Sequence, residues 1–324
     1  MTEPLVTILT PVYNHEKYLD EYFESIINQT YKNIELVLID DASTDQSIVI
    51  IEKWLPKLKE RFLLRYLARK ENKGLIYNCN EGLNLANGKY MCLFASDDIM
   101  FPTNIEEKTI FLESNSEYAM VYSNIYAGNN ILDKKYINDD RRNCSSEFSL
   151  LQDLIDKGNF IPAPTAIVKR EILIGIGGYN KKYYIEDYPT WLEIAKRHKV
   201  AYLNKALVFY RLSPNSLSSG EKKFKKMIDS QVQILEDFGE KYKIDIDKGL
   251  DNIYISATCY FYFNKSSYYK EYREKIVKKT PKIHLLDIFI FMKIAPRLII
   301  GVNELYKKLL KRGHTGFKKS RGIR

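Results

Sequence analysis

Residues 34–45, IELVLIDDASTD, decide the fold class that this 324-residue sequence predicts. An apolar run from Ile34 to Ile39 stops at two adjacent acids, Asp40 and Asp41, and a polar segment then leads into the helical pattern STDQSIVIIEKWL. A short apolar run that ends at turn residues and is followed by a helix with a capping pattern is typical of a strand in a parallel sheet.

The same strand-then-helix pattern is found on both sides of this segment. Strands are predicted in PLVTILTPVYN, FLLRYLAR and KYMCLFASDD, and helices in HEKYLDEYFESIINQTY and in GLIYNCNEGLNLANG, which closes at Asn87-Gly88. Strands that alternate with helices of this length indicate βαβ units. We therefore predict an α/β fold with a mainly parallel central sheet flanked by helices.

Polar segments follow all four of these strands: TPVYN, DDASTD, ENKG and ASDD. In open α/β sheets, ligands bind at the carboxyl ends of the strands. The sequence therefore predicts a ligand site where these four segments meet.

The second half of the chain is less regular. A helix from Ile105 to Glu113 is followed by a strand in YAMVYSNIYA, a strand, short helix and Gly-rich turn in IPAPTAIVKREILIGIGGYN, a helix in IEDYPTWLEIAKRH and a strand in VAYLNKALVFYRL. From Glu221 onward the pattern is mostly helical. We predict a catalytic α/β region over residues 1–220 and a helical region over residues 221–324.

Charge is concentrated at the C-terminus. Eleven Lys and Arg residues against two acids give residues 281–324 a net charge of +9, which equals the net charge of the whole chain. The apolar stretch LLDIFIFMKIAPRLIIGV in this tail is interrupted by charges and a proline, as in an interfacial helix rather than a spanning one. We expect this tail to dock on an anionic membrane surface; packing against the body or a second subunit, as in a homo-oligomer, and nucleic-acid binding are the alternatives.

Composition indicates a folded globular protein, since 45% of residues are hydrophobic and 28% are charged. The four cysteines show no CxxC spacing, which indicates buried thiols in a reducing compartment. The first residues lack the features of a signal peptide. We therefore expect a cytoplasmic protein, peripheral at the inner face of the cell membrane, that does not act on nucleic acid.

Two adjacent acids, Asp97 and Asp98, end the strand in KYMCLFASDD. The chain has neither a GxGxxG turn after its first strand nor a GxxxxGK[ST] loop, which disfavours dinucleotide oxidoreductases and P-loop enzymes. Paired carboxylates at a strand end suit Mn²⁺ or Mg²⁺, which bind one or two carboxylates together with substrate phosphates. The alternative is a solvated turn, or a cap for the helix that begins near Pro102.

A second acidic pair, Glu186 and Asp187, precedes the helix in IEDYPTWLEIAKRH. A carboxylate here could take the proton from a hydroxyl nucleophile. Acids at a helix N-terminus are also favoured by the helix dipole, so the residues alone leave both interpretations open.

Six motifs in order, TILTPVYN, LIDDASTD, ENKG, ANGKY with ASDD, GGYN and EDYPTWLEIA, resemble the family 2 inverting glycosyltransferases of bacterial surface-polysaccharide type. The resemblance runs from about Leu5 to about Ser219. It implies the Rossmann-like GT-A fold. It also implies a transferase that moves a hexose or N-acetylhexosamine from a nucleotide-diphosphate donor, a UDP-sugar, to a hydroxyl of a glycan or lipid-linked glycan. Such reactions occur in the biosynthesis of capsules and other polysaccharides. The implied reaction is a metal-assisted single displacement.

The resemblance also implies roles for individual residues. Asp187 would be the catalytic base, Glu186 a neighbour that contacts the acceptor or orients the loop, Asp98 the metal ligand, and Asp97 a contact to ribose or donor sugar. The nucleoside would be held by Thr10, Pro11, Tyr13, Asp41, Asn72 and Gly74, with Asp41 accepting a hydrogen bond from uracil and Gly74 allowing the nucleotide to approach.

Several positions keep two interpretations. Trp191 is either the floor of a sugar site or a core residue, and Arg211 either pairs with the diphosphate or forms a structural ion pair. Asp40 and Asp45 are further candidates for the nucleotide pocket, but Asp45 equally fits a helix start. His15 and His198 are interpreted as surface or packing residues.

The sequence departs from the family pattern at three positions. Ala95 stands where a third acid is usual, Asn78 where an arginine is frequent, and Ser213 near the place of a metal-binding histidine. Lys73 or another cation could replace the arginine. A sugar-phosphate nucleotidyltransferase and an inactive nucleotide-sugar-binding protein are the alternative functions.

Overall fold

The computed structural model of the chain describes residues 3–137, 150–213 and 220–279. The chain divides into two compact units, residues 1–249 and 250–324. The division into a catalytic and a helical region after residue 220 stays a prediction. The basic tail, residues 281–324, residues 214–219 and Cys144 lie outside the described residues, and the docking role of the tail stays a prediction.

The first half of unit one is the alternating structure that the sequence predicts. Its elements are β1 (Val6–Val12), α1 (Leu19–Ile27), β2 (Ile34–Asp40), α2 (Ser47–Arg61), β3 (Leu63–Ala68), α3 (Leu75–Leu85) and β4 (Tyr90–Leu93). The four strands are parallel in the order β3-β2-β1-β4. Val12 pairs with Asp40 and Leu9 with Leu93, so the polar segments that follow β1, β2 and β4 leave the sheet at one edge.

The second half extends the same sheet with mixed strand directions. Its elements are β5 (Ile99–Met100), α4 (Asn104–Ser114), β6 (Tyr118–Gly128), β7 (Lys135–Tyr136), α5 (Leu150–Lys157), β8 (Ile167–Lys169), α6 (Arg170–Gly175), α7 (Asp187–Arg197) and β9 (Lys199–Arg211). The order β8-β6-β9-β5 continues from β4; β8 is antiparallel to both its neighbours, whereas β6 and β9 are parallel.

Burial explains why the central strands are apolar throughout. Every residue of β2 is buried, because helices cover both faces of the sheet. Glu35 and Asp40 are the two polar residues of this strand, and the Glu35 carboxylate accepts hydrogen bonds from Thr7, Arg65 and Asn87. A Cβ at Gly88 would lie 2.6 Å from the Thr7 backbone nitrogen, so glycine permits the close approach of the α3–β4 turn to β1.

Three helices follow: α8 (Glu221–Tyr242), α9 (Asp247–Phe263) and α10 (Tyr269–Lys279). Helix α8 lies within the first unit, and in the second unit the rings of Phe261 and Tyr272 stack with centroids 5.2 Å apart. Of the helices in residues 3–137, 150–213 and 220–279, none is both long enough and apolar enough to span a bilayer. Cys79, Cys92 and Cys259 are buried free thiols, as predicted.

Candidate active site

Asp41 fixes the loop that precedes α3. Its carboxylate accepts the backbone N–H of Lys73 at one oxygen and that of Gly74 at the other, both at 2.8 Å, and Asn72 Nδ2 donates to the Asp41 carbonyl at 3.2 Å. Gly74 precedes the first helical residue with a φ of +86°, a conformation that favours glycine. Three predicted nucleotide residues, Asp41, Asn72 and Gly74, are therefore brought into direct contact.

Arg69 is a site residue that the sequence prediction missed. Its Nε donates to Asn78 Oδ1 at 2.6 Å and lies 3.8 Å from Asp41 Oδ1, and its guanidinium forms an ion pair with Glu81. Its side chain is 12% exposed. Lys73, the cation proposed from sequence, instead pairs with the exposed Glu71 at 2.5 Å. Arg69 therefore supplies the positive charge at the position where the sequence has Asn78.

The end of β1 lies beside this loop. Thr10 is fully buried with its hydroxyl against that of Tyr22, whereas Tyr13 is 47% exposed. Asn14 and Ala42, on the β1–α1 and β2–α2 loops, have φ angles of 56° and 62°. Such non-glycine residues with positive φ cost free energy and concentrate at functional sites. Pro11 accepts a hydrogen bond from Ser96 Oγ at 3.3 Å, which brings the β1 end to the acidic turn.

The other two acids after β2 have structural partners. Asp45 accepts the N–H of Ser47 at 2.9 Å and the N–H of Glu16 at 3.0 Å, which fits the helix-start interpretation. Asp40 Oδ1 accepts the Ser43 N–H at 2.9 Å, while its buried Oδ2 has no hydrogen-bond partner among the described residues.

The acidic turn after β4 is held by the end of β9. Asp98 is 2% exposed, and its Oδ1 accepts the Arg211 backbone N–H at 2.8 Å. Arg211 Nε donates to the Asp97 carbonyl, also at 2.8 Å. Burial, followed by the charge of Asp97, raises the pKa of Asp98 well above its usual range, although contact with Arg211 opposes this.

Arg211 and His15 complete this turn. The Arg211 guanidinium pairs with Glu21 and lies 5.0 Å from the centroid of the Tyr18 ring, so the ion-pair interpretation describes its position and its contact with a diphosphate stays a prediction. His15 Nδ1 lies 2.7 Å from Ser96 Oγ, next to Asp97, a contact that agrees with a packing role for His15 at this turn. His198 is exposed at the end of α7.

The acidic turn fits a divalent cation that is shared with a substrate. Within the described ranges, no cluster of three or more His, Cys, Asp and Glu side chains surrounds one metal position. Mg²⁺ and Mn²⁺ commonly bind one or two carboxylates and complete their coordination with phosphate oxygens and water. Asp98, with Asp97 beside it, offers that donor set.

The second acidic pair lies at the start of α7. Asp187 Oδ2 accepts a hydrogen bond from Asn159 Nδ2, and Oδ1 accepts the Tyr188 N–H, both at 2.7 Å. Burial raises the pKa of Asp187, while Asn159 and the Tyr188 N–H lower it in part. Burial, followed by the charge of Asp187, raises the pKa of Glu186 to about 8. Asp187 is thus a carboxylate with its geometry fixed by neutral donors.

A small cavity joins this pair to the central sheet. Leu93 of β4, Glu186, Asp187 and Trp191 are among its lining residues. Trp191 is 5% exposed and donates its indole N–H to the Ile161 carbonyl at 3.3 Å. Trp191 is therefore buried next to the proposed base, and its contact with a sugar stays a prediction. Burial, followed by the charges of Asp98, Asp97, Asp187 and Glu186, raises the pKa of Tyr210 on β9, so both acidic pairs lie near this one ring.

Comparison with known proteins identifies the family. The profile described as Glycosyl transferase family 2 matches residues 7–177. An uncharacterized glycosyltransferase of Haemophilus influenzae is 33% identical over 227 residues, which are 67% of this chain and 68% of that protein. The chain belongs to glycosyl transferase family 2. The putative teichuronic acid biosynthesis glycosyltransferase TuaG of Bacillus subtilis is 30% identical over 69% of this chain and 86% of its own.

Solved structures show that this family 2 glycosyltransferase has the GT-A fold that was predicted. Residues 1–349 of TarS from S. aureus, in complex with UDP-GlcNAc, align with a TM-score of 0.57 and 17% identity over 84% of this chain and 88% of that 1–349 fragment. The mannosyltransferase PcManGT from Pyrobaculum calidifontis, in complex with GDP-Man and Mn²⁺, aligns with a TM-score of 0.60 and 16% identity over 95% of this chain and 88% of that protein.

Asn80 connects α3 to the loop that precedes α7, a contact that was missed from sequence. On α3, its Oδ1 accepts the Tyr179 N–H at 2.9 Å and its Nδ2 donates to the Tyr179 carbonyl at 2.8 Å. Gly178, with a φ of +75°, permits this contact, because its Cβ would lie 2.4 Å from Asn80 Oδ1. The helix that begins at the Asp41-bound loop therefore also fixes the loop that leads to Glu186 and Asp187.

Proposed function

We propose that this glycosyltransferase transfers a hexose or N-acetylhexosamine from a UDP-sugar to a hydroxyl group of a glycan or lipid-linked glycan, with inversion at the anomeric carbon. The observation that carries the proposal is the fixed Asp187 carboxylate, which lines a cavity with Leu93 of β4 and has Tyr210 as a neighbour in common with Asp98. TarS bound to UDP-GlcNAc and PcManGT bound to GDP-Man support a nucleotide-sugar donor.

The donor half is assigned to the strand ends. Thr10, Pro11 and Tyr13 line the nucleoside pocket, while Asp41 orders Asn72 and Gly74 beside it and accepts a hydrogen bond from the uracil. Both Asp41 oxygens already accept a backbone N–H, and each retains a further lone pair for the base. Asp97 contacts the ribose or donor sugar. Arg211 binds the diphosphate, a role that is supported by the contact of its guanidinium with the Asp97 carbonyl.

Asp98 is the protein ligand for Mn²⁺ or Mg²⁺. The bound ion supplies Lewis-acid stabilisation of the diphosphate leaving group. Asp98 keeps its orientation through the Arg211 N–H, and Asp97 adds negative charge at the same turn. The Mn²⁺ in the PcManGT complex supports this assignment.

Asp187 is the general base. Its carboxylate takes the proton of the acceptor hydroxyl as the oxygen attacks the anomeric carbon and the bond to the diphosphate breaks. Asn159 and the Tyr188 N–H hold both carboxylate oxygens, so the base is oriented before the acceptor binds. Glu186, whose pKa is raised to about 8, remains protonated at neutral pH and can donate a hydrogen bond to the acceptor.

The experiment is a donor screen with the full chain, Mn²⁺ and UDP-, dTDP- and GDP-sugars, followed by NMR of the product's anomeric configuration. We expect the fastest hydrolysis with a UDP-sugar and a product of inverted configuration. Retained configuration would contradict the single displacement. Formation of a nucleotide-sugar from a nucleoside triphosphate would favour a nucleotidyltransferase, and UDP binding without turnover would favour an inactive binding protein.

Membrane docking of residues 281–324 is part of the same proposal, because the tail carries a net charge of +9. The full chain should bind anionic liposomes and a variant that ends at residue 280 should not. Equal binding by the two proteins would contradict the docking role.

A further inference from the structure

A second, larger cavity lies outside the proposed catalytic site. It has a volume of about 140 Å³ and lies between α7, α8 and the loop that precedes α7. The polar residues that line it are Asn180, Tyr183, Thr190, Glu193, Asp237 and Lys241. A cavity of this volume that is lined by polar groups can hold a small polar ligand.

The cavity begins close to the proposed base. Asp187 is the first residue of α7, and Thr190, which lines the cavity, follows within the first helical turn. The Thr190 hydroxyl donates to the Glu186 carbonyl at 2.6 Å. A ligand in the cavity therefore lies next to the loop that carries the base, on the acceptor half of the molecule.

The carboxylates of this cavity are fixed in place. Asp237 Oδ2 accepts hydrogen bonds from Tyr183 Oη at 2.8 Å and from Lys182 Nζ at 2.6 Å. Glu193 Oε1 accepts one from Lys241 Nζ at 2.7 Å, and Glu193 Oε2 one from Tyr242 Oη at 2.7 Å. Burial raises the pKa of Asp237, but Lys182 and Tyr183 outweigh this and hold it below its usual range. Both side chains therefore present preorganised acceptors to the cavity.

The charges select against an anionic ligand. Lys182 pairs with Asp237 and Lys241 pairs with Glu193, so the two carboxylates that line the cavity already hold these lysines and an anionic ligand would have to compete with them. Hydroxyl groups, in contrast, can donate to carboxylates and accept from Lys241 and Asn180. The buried ring of Phe238, which also lines the cavity, offers an apolar surface for the C–H face of a sugar.

From these observations we infer that the cavity between α7 and α8 is a binding subsite for one uncharged sugar residue of the acceptor. This inference rests on the proposed function, which makes the acceptor a glycan. It adds the chemical class of one acceptor residue and the place where that residue binds, separate from the residue whose hydroxyl reacts.

The test is a saturation-transfer NMR titration of the full chain with methyl glucoside, methyl N-acetylglucosaminide and, as the anionic comparison, methyl glucuronide. Wild-type protein should bind the two neutral glycosides more tightly than the glucuronide. Asp237→Asn removes one charged acceptor and Lys241→Gln one charged donor, and each should weaken neutral-glycoside binding by about tenfold. Lys241 is 55% exposed, so its substitution leaves folding intact.

The matched control is Asp229→Asn. Asp229 lies on α8 and pairs with Lys225 at 2.7 Å, as Asp237 pairs with Lys182, but it does not line the cavity. This variant should bind the glycosides as the wild type does. Absence of glycoside binding, or equal binding by the Asp237→Asn and wild-type proteins, would overturn the subsite, and tighter binding of the glucuronide would overturn the ligand class.

A parallel calorimetric titration with UDP and Mn²⁺ separates this inference from the proposed function. All four proteins should bind UDP equally, since none of the substitutions lies in the donor half. Wild-type protein that binds neutral glycosides but not UDP would contradict the proposed function and support the subsite.

Discussion

The two acidic pairs of this glycosyltransferase differ in what surrounds them. Asp98 accepts a hydrogen bond from the backbone N–H of Arg211. The guanidinium of the same residue contacts the Asp97 carbonyl and so adds a positive charge at the turn. Asp187, in contrast, is held by the neutral amide of Asn159 and the Tyr188 N–H. Burial and a neighbouring acid raise the pKa of a carboxyl group in each pair.

This difference separates two kinds of chemistry. The turn at Asp97 and Asp98 holds two carboxylates beside the guanidinium of Arg211. Such a turn can bind a metal ion together with a diphosphate, because the positive and negative charges of protein, ion and diphosphate offset one another. A carboxylate with neutral partners and no adjacent cation keeps a higher proton affinity, as a general base near neutral pH requires. The first pair thus suits the leaving group and the second suits the nucleophile.

The largest effect is expected from the base. Asp187→Asn should lower kcat by about a thousandfold or more, because the amide cannot accept the acceptor proton. UDP binding, measured by calorimetry, should be unchanged. Glu186→Gln is the matched control and should retain much more activity, since the neutral amide resembles the protonated acid. Turnover of Asp187→Asn at the wild-type rate would contradict the assignment.

The second effect concerns the metal. We expect Mn²⁺ to increase the UDP affinity of the wild-type protein by about tenfold to a hundredfold. Asp98→Asn should abolish this increase, because the substitution removes the charged metal ligand. Asp97→Asn should reduce this increase less. Calorimetry with UDP in the presence and absence of Mn²⁺ measures both. If the UDP affinity of Asp98→Asn still increases with Mn²⁺ as much as that of the wild type, Asp98 is not the metal ligand and the proposed roles of the two acidic pairs are wrong.

The third effect concerns Arg69, which positions Asp41. Arg69→Met should raise the donor KM by about tenfold with little change in kcat, and Arg69→Lys should restore part of the affinity. Arg65→Met is the matched control, because Arg65 lies on β3, the strand that directly precedes Arg69, but pairs with Glu35, away from the loop. A lower kcat with unchanged KM would indicate general loss of structure rather than donor positioning.

The sequence predicted the strands and helices of the first half because each apolar run ends at a polar segment that marks the sheet edge. Strands β5 and β7 have only two residues each, too few for any periodicity to appear. Their pairing is imposed by the neighbouring strands β9 and β6.

Candidate site residues that belong to sequence motifs could be predicted from the sequence. Residues whose role depends on contacts with distant segments of the chain could not. Asp41, Asp98 and Asp187 follow from their motifs. Arg69 and Asn80 do not, because their importance lies in contacts with residues that the fold brings together. Arg69 had one available signal, its place directly after a strand that ends at the predicted site edge. Asn80 had none, since its partner Tyr179 is 99 residues away.

The smallest effect is on stability. Because burial raises the pKa of Glu186 to about 8, the folded protein keeps a proton that the unfolded chain releases above about pH 4.5. Folding stability should therefore fall as pH rises between these values, and Glu186→Gln should remove this loss. Denaturant unfolding should show equal stabilities near pH 5 and a variant more stable by a few kcal/mol at pH 8.

Glu113→Gln provides a control of opposite sign. Hydrogen bonds from Lys89 and Tyr90 hold the pKa of Glu113 below its usual range, so that carboxylate stabilises the folded state above its unfolded pKa. Its substitution should therefore destabilise the protein at pH 8 and less so as the pH falls through the pKa. If the free energies of unfolding of Glu186→Gln and wild type differ by the same amount from pH 5 to pH 8, Glu186 is ionised in the folded protein. The acceptor side would then carry two negative charges, and the contrast with the metal-binding turn would disappear.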